Sequence, residues 1–442
     1  MGRQARGMKG ALLLAFEHDY GITPTNPAAI RLPFNKNTLT AKQNLIESNT
    51  ITGRRDPTAP GLGQIDVSGN VEFPLDVRNI GHWMTLGFNV PTTTDNSTSG
   101  SLTGDSGVTT TIATWTAVTA GAFAISIDGV SKPIGPIDFS TCVTMTDVTG
   151  KIQTAVRAVA TGGFTTATVV FDAPNTRFVI TSGTKGSASA VSVASAPTTG
   201  TDISGAGFMK CATGTAVAGA ALYKHVWKVQ DDMPSATLEK GFGDLSKYAL
   251  YPGCKMSKFA LSAAVGNNEL TANADIMGAN EAINSFSMSA APTSDQLLRF
   301  NNFQAAVIEN GSVLGSARKM DVNIDFGLDG DTYCLNGQGT RTDIAEGIIQ
   351  PSGSIEALFK ETTLLDKAIN GMESSLKLTF ANGPYSLEFL LPELIFERAT
   401  PTINGPKGIL LSLNYKSYYS DSAENSAVQV TLINDVASYA IA

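Results

Sequence analysis

The sequence predicts a mainly β fold with short helices (α+β): a duplicated sheet-plus-helix domain that carries a small inserted α+β domain. Three observations predict it. Apolar and polar residues alternate with period two over many short runs, the pattern of strands with one buried face. Gly, Asn and Asp punctuate those runs at turn positions. Charged residues make up only 16 % of the 442 while apolar residues make up 42 %. That balance excludes a mostly disordered chain and suits β domains whose surface is covered by Ser and Thr.

Residues 1–27 read as an N-terminal arm. MGRQARGMKGALLLAFEHDY begins like a signal peptide, with a basic stretch ahead of apolar residues. The apolar core at 11–16 is too short for that role and runs straight into Glu17, His18 and Asp19. No other stretch approaches the length of a membrane span, so synthesis in the cytosol and no membrane insertion are expected. Leu12, Leu14 and Phe16, then Tyr20 and TPTNPAAIRLPF, form an extended, proline-marked segment. Such an arm docks on a neighbouring copy or packs on its own domain. These four residues are the candidate assembly residues.

The first domain is expected over 28–103 and 222–285. Its clearest part is YPGCKMSKFALSAAVGNNELTANADIMG (251–278), two alternating runs hinged on Gly-Asn-Asn. Phe259, Leu261 and Ala263, then Leu270, Ala272, Ala274 and Ile276, define one buried face of a hairpin. Upstream, Val77, Ile80, Met84 and Phe88 have helical spacing.

A Thr/Ser/Gly stretch at 89–111 and a second loose stretch at 212–221 bracket an inserted surface domain, 104–221. FAISIDG alternates and ends in a turn at Asp128-Gly129. TDVTGKIQTAVRAVATGG puts Val148, Ile152, Val156 and Val159 on one helical face, with Thr146 as the expected N-cap and Gly162 as the stop. TTATVVFDAPNTRFVITSG predicts a hairpin around 172–175, and SAVSVAS a further strand. Exposed loop tips whose ends lie close together tolerate such insertions. Acidic and basic residues balance within it, so the net charge of −8 belongs to the remainder.

The second domain is expected over 286–425, ahead of a C-terminal tail, 426–442. SGSIEALFKETTLLDKAINGM (352–372) resembles SGNVEFPLDVRNIGHWMTLGF (68–88), and each follows an Arg/Asp-containing loop, TRTD or TGRRD. Leu364, Leu365, Ala368, Ile369 and Met372 repeat the helical spacing. A tandem duplication explains the echo; convergence of two strand–helix units is the alternative.

Chemistry is hard to find. The four cysteines, Cys142, Cys211, Cys254 and Cys334, form no C-x-x-C pair and read as buried thiols. His18, His82 and His225 stand in three different contexts, whereas a triad or metal site needs convergence. Asp325, Asp329 and Asp331 lack calcium-loop spacing, and Asp329-Gly330 predicts a hairpin turn instead. GLG, GFG and GQG lack the strand–helix context of a phosphate loop. Asp231-Asp232 are adjacent and would face opposite ways. No enzyme activity, cofactor or metal is therefore expected. With no Lys/Arg run and an acidic balance, the chain is not built to grip nucleic acid.

Two segments carry a family resemblance. ALLLAFEHDYGITPTNPAAIRLPFNKNTLT (11–40) has an acidic–Tyr-Gly-x-Thr-Pro opening followed by Leu-Pro-Phe. PSATLEKGFGDLSKYALYPGCKMSKFALS (234–262) has Glu-Lys-Gly-Phe and then Tyr-x-Gly-Cys. Both resemble the major tail tube proteins of long, non-contractile-tailed bacteriophages (siphophages). The insert looks like a small module of phage tail sheath-like and other virion proteins, which simple tube proteins lack.

The resemblance implies a β-barrel or sandwich tube domain in the virion tail that self-assembles into stacked rings. Implied partners are the chain itself and other tail proteins at the tube ends, with DNA passing through the lumen unbound during ejection. Two fused domains per chain imply a homotrimer with a pseudo-hexameric ring; a hexamer with a C-terminal extension is the alternative. The insert would decorate the outside. A rival reading is a virion surface adhesin whose Ser/Thr-rich insert binds host-cell glycans, though the insert offers few aromatics for sugar stacking.

Overall fold

The computed structural model describes residues 4–335, 337–403 and 405–441. Met1, Gly2 and Arg3, part of the basic start read above, lie outside them. The chain is mainly β with a few short helices, and its sheets are open. It divides into two compact units, one of the residues up to Thr93 together with those from Lys224, the other Thr94–Tyr223.

The larger unit is organised by one antiparallel run of strands. Thr40–Ile46 pairs with Gly61–Pro74, which pairs with Thr271–Gly278, which pairs with Lys247–Ala264. Lys247–Ala264 continues onto Ala317–Asp325, then come Gln350–Leu358 and Leu410–Ser417. Alternation decides the faces. Val71 and Phe73, Ala272 and Ala274, Phe259 and Leu261, Val322 and Ile324, Ile355 and Ala357, and Leu411 and Leu413 all point into one core. Hydroxyl, amide and charged residues alternate with them on the other face.

The pairings of this unit run twice through one scheme. In the first pass Gly61–Pro74 leads into the helix Ile80–Phe88, then into the hairpin of Ala236–Phe242 and Lys247–Ala264. Thr271–Gly278 returns to Gly61–Pro74, Ala282–Asn284 returns to Lys247–Ala264, and Gly10–Phe16 flanks Ala236–Phe242. In the second pass Gln350–Leu358 leads into the helix Thr363–Asn370, then into the hairpin of Glu373–Asn382 and Tyr385–Phe396. Leu410–Ser417 returns to Gln350–Leu358, Gln429–Asn434 returns to Tyr385–Phe396, and Ala305–Glu309 flanks Glu373–Asn382. Registers coincide: Lys36 faces Glu72 as Lys319 faces Glu356, and Thr40 faces Ser68 as Asn323 faces Ser352.

Gly69 and Gly353 occupy the same position in the two passes. A Cβ on Gly69 would stand 2.5 Å from the Leu39 Cα, and one on Gly353 would stand 2.0 Å from the Asp321 carbonyl oxygen. Each glycine lets the strand beside it approach closely.

The helix Ile80–Phe88 is buried all round. Trp83 stacks on Phe73 with ring centroids 4.7 Å apart. The buried Asp76 carboxylate accepts from the backbone N–H groups of Asn79 and Ile80 and from Asn79 Nδ2, satisfying donors at the helix start. The counterpart helix buries Leu364 and Ala368 only. Ile369 and Met372, expected on the buried face, are 41 % and 52 % exposed; the helix stops at Gly371 in the left-handed region, which leaves Met372 beyond it.

The smaller unit has its own core of Trp115, Phe123, Phe139, Phe178, Ile152 and neighbours. The helix Met145–Arg157 packs on its strands, with Val148, Ile152 and Val156 buried. Its N-cap is Thr144, not Thr146: the Thr144 hydroxyl accepts from the Asp147 backbone N–H and the Asp147 carboxylate accepts from the Thr144 backbone N–H, a capping box. SAVSVAS forms no continuous strand and touches the sheet through isolated bridges at Val191 and Ser195. Ser101–Thr103 and Thr215–Val217 pair antiparallel, so the two ends of the unit lie side by side.

Asp329-Gly330 is not a turn. Bridges from Asp329 to Ala345 and from Tyr333 to Arg341 make it one arm of an irregular ribbon that turns further on. Cys142, Cys211 and Cys254 are buried free thiols, but Cys334, in that ribbon, is exposed.

Candidate assembly edges

The two segments that carry the family resemblance converge at one polar knot. Gly10–Phe16 pairs along Ala236–Phe242, which buries Leu12, Leu14 and Phe16 in the chain's own core. Glu17 is then buried at the strand end. Its Oε1 accepts from Thr237 Oγ1 at 2.7 Å and Gly253 N at 2.9 Å; its Oε2 accepts from Ser235 Oγ at 2.7 Å and Gly21 N at 2.9 Å. Four donors on one carboxylate satisfy a buried anion.

Tyr20 packs against Gly253, whose positive φ turns the backbone aside for the ring. Burial pushes the Tyr20 hydroxyl well above its usual pKa. Beside it the Lys255 ammonium lies 5.7 Å from the ring centroid and bonds Glu346 Oε1 at 2.6 Å. The arm thus braces the hairpin from inside its own domain. Sequence reasoning missed Glu17 as the organiser, although its place between an apolar run and Tyr20-Gly21 was the available signal.

The outer edge of residues 36–46 pairs with no strand among the described residues. Thr38 N donates to Asn70 O, so the Leu39 N–H and C=O, one residue on, face away from Gly61–Pro74. Leu39 N donates to Asn37 Oδ1 at 2.9 Å, and the Leu39 carbonyl accepts from the Lys240 ammonium. Burial lowers the Lys240 pKa. Asn37 Nδ2 is buried and has no partner in the chain. Beyond this edge the two-stranded ribbon formed by the end of Thr40–Ile46 and the start of Gly61–Pro74 exposes Leu45, Ile46 and Leu62 at 63, 57 and 70 %, with Ile51 exposed in the connecting loop.

The opposite end of the repeated scheme is Tyr385–Phe396. Its counterpart Lys247–Ala264 runs on to pair with Ala317–Asp325, whereas this strand ends at Phe396. Residues 398–400, 402 and 403 are exposed and form no strand.

His82 and His225 both pack edge-on against the Tyr439 ring, with centroids 4.9 and 4.8 Å from it, but their ring nitrogens have separate partners. His82 Nε2 lies 3.3 Å from Asp295, while His225, its pKa lowered by burial, meets Thr93, Asn434 and the Val436 carbonyl. Among the described residues no three His, Cys, Asp or Glu side chains are grouped to hold a metal ion. Burial pushes the Cys211 thiol up to about 12. No helix of the described residues is long and apolar enough to cross a membrane.

A two-pass sheet with open edges describes a structural component, and comparison with known families agrees. The chain belongs to the phage tail tube protein family, whose model matches residues 196–417. A second family model, for the insert domain of the E217 tail sheath protein gp31, matches residues 97–221. No curated protein matches the sequence. Membership makes the chain a structural phage tail protein, located in the virion tail, and implies association with itself and with other tail proteins.

Proposed function

We propose that the chain closes into rings that stack as the tail tube of a long, non-contractile-tailed phage, a conduit through which DNA is ejected. One observation carries this reading: a single antiparallel sheet crosses both passes of the repeat, with an apolar face turned to the core and a polar face left over. Each chain supplies two equivalent domains, so three chains complete a pseudo-sixfold ring. The polar face, with Ser68, Glu72, Asn273, Asp275, Ser354 and Glu356, lines the lumen. Hydroxyls, amides and a slight acidic excess let DNA slide without being held.

Leu12, Leu14, Phe16 and Tyr20 support assembly by bracing the hairpin. The exposed apolar ribbon around Leu45, Ile46 and Leu62 serves ring stacking. The Thr94–Tyr223 unit decorates the outside.

Negative-stain microscopy of the purified chain tests the reading. Hollow rings or tubes with three peripheral knobs per ring are expected. Six knobs would keep the tube and replace the trimer by a hexamer. Compact single particles at high concentration would overturn the conduit.

A further inference from the structure

We infer that the joint between chains copies the joint inside the chain: residues 398–403 of one copy add, antiparallel, to the edge at 37–42 of a second copy. The inference rests on the tube reading and specifies its lateral contact.

The template is the pairing that couples the two passes, from Lys258 opposite Asp325 to Ala264 opposite Lys319. The shared registers put residues 36–42 where 319–325 stand. Met256 faces Ile276 as Phe396 faces Tyr415, which puts residues 398–403 where 258–263 stand. The first half of the joint is thus met by an edge with no strand on it. The second half is met by a strand that stops at Phe396, short of its counterpart.

Three features of the sequence fit this register. Arg398-Ala399-Thr400-Pro401-Thr402-Ile403 alternates, with Ala399, Pro401 and Ile403 at the core-facing places of Phe259, Leu261 and Ala263. Ile403 is 77 % exposed in the single chain, and the joint would cover it. Pro401 falls opposite Leu39, as Leu261 falls opposite Val322. Proline brings no N–H to that outward-facing carbonyl, and the Leu39 carbonyl already takes its hydrogen from the Lys240 ammonium. The donor missing from one side is supplied by the other.

One pair differs from the template. The ion pair Lys258–Asp325, 3.0 Å within the chain, becomes Arg398 opposite Lys42. Two like charges hold the joint weaker than its intrachain model, which suits a contact that forms only with the rest of a ring.

The test uses the full chain with Cys334→Ser, which removes the exposed thiol. Thr40 and Thr400 face each other in the predicted register, at the spacing of a cross-strand pair. A chain with Thr40→Cys mixed with a chain with Thr400→Cys should give a disulfide-linked dimer under mild oxidation. Neither alone should, and Thr402→Cys, two residues out of register, should not replace Thr400→Cys. Arg398→Asp, which sets an acid opposite Lys42 and leaves Lys42 opposite Asp66 within its own chain, should lower the concentration for half-assembly by about two- to fivefold per joint, the range for an exposed ion pair. Rings visible by microscopy without the cross-link, or with no gain from Arg398→Asp, would overturn the joint and leave the tube standing. Absence of any assembly by the unmodified chain would overturn both.

Discussion

Asp76 concentrates what a single residue does here. Its buried carboxylate holds the start of the helix Ile80–Phe88, and burial raises its pKa despite the hydrogen bonds that oppose the shift. The folded chain therefore binds this proton more tightly than the unfolded chain. The group favours folding most below its unfolded pKa of about 3.9, and that contribution is lost as pH rises through the raised folded value. Asp76→Asn keeps one acceptor and removes the charge. It should cost about 1 kcal/mol as a weakened cap, and the deficit relative to the parent should shrink as pH rises from 3 towards 7. Urea unfolding of both proteins across that range measures it; a deficit independent of pH would show that desolvation of Asp76 is immaterial. Residue roles of this kind were faint in the sequence. Thr144 rather than Thr146 caps its helix because Asp147 stands at the reciprocal position, a spacing that can be read. Glu17 could not be read as the centre of a knot, since Ser235, Thr237 and Gly253 reach it from more than 200 residues away.

Strands with one buried face were the legible elements. The hairpin over 251–278 appears as two strands with Phe259, Leu261, Ala272 and Ala274 inward, because local alternation and burial agree there. Asp329-Gly330 misled because its turn chemistry is local while its pairing with 341–345 is not. SAVSVAS misled in the same way, its alternation being met by two isolated bridges. The insert supplies the test at this scale. Antiparallel partners such as Ser101 and Val217 stand about 5 Å apart, so a three-residue Gly-Ser-Gly bridge can replace residues 102–216. The shortened chain should still form rings by microscopy, and residues 94–223 alone should unfold cooperatively by circular dichroism, since Trp115, Phe139 and Phe178 form a core within the unit. Rings lost on excision would make the insert part of the tube wall.

The whole molecule was least legible, for a physical reason. Short echoes such as SGNVE and SGSIE suggest a repeat, but only long-range pairing shows that both passes share one sheet and therefore one polar face. That face makes a claim that composition alone could not. Glu72 and Glu356 occupy the same position in the two passes, each on the polar side and each opposite a lysine, Lys36 or Lys319. In a three-chain ring they would form six acidic points around the lumen. Glu72→Lys with Glu356→Lys turns those points basic at the cost of two like-charge cross-strand pairs, each worth a few tenths to about 1 kcal/mol. Assembled parent rings should leave a short DNA duplex unretarded at physiological salt. The double variant should bind it with an affinity that falls steeply as salt rises, the signature of phosphate contacts. Glu72→Gln with Glu356→Gln, neutral at the same places, should stay nearly inert. If the lysine variant assembles and still ignores DNA, the polar face does not look into the bore, and the outward face of the sheet must be sought on the other side of the ring.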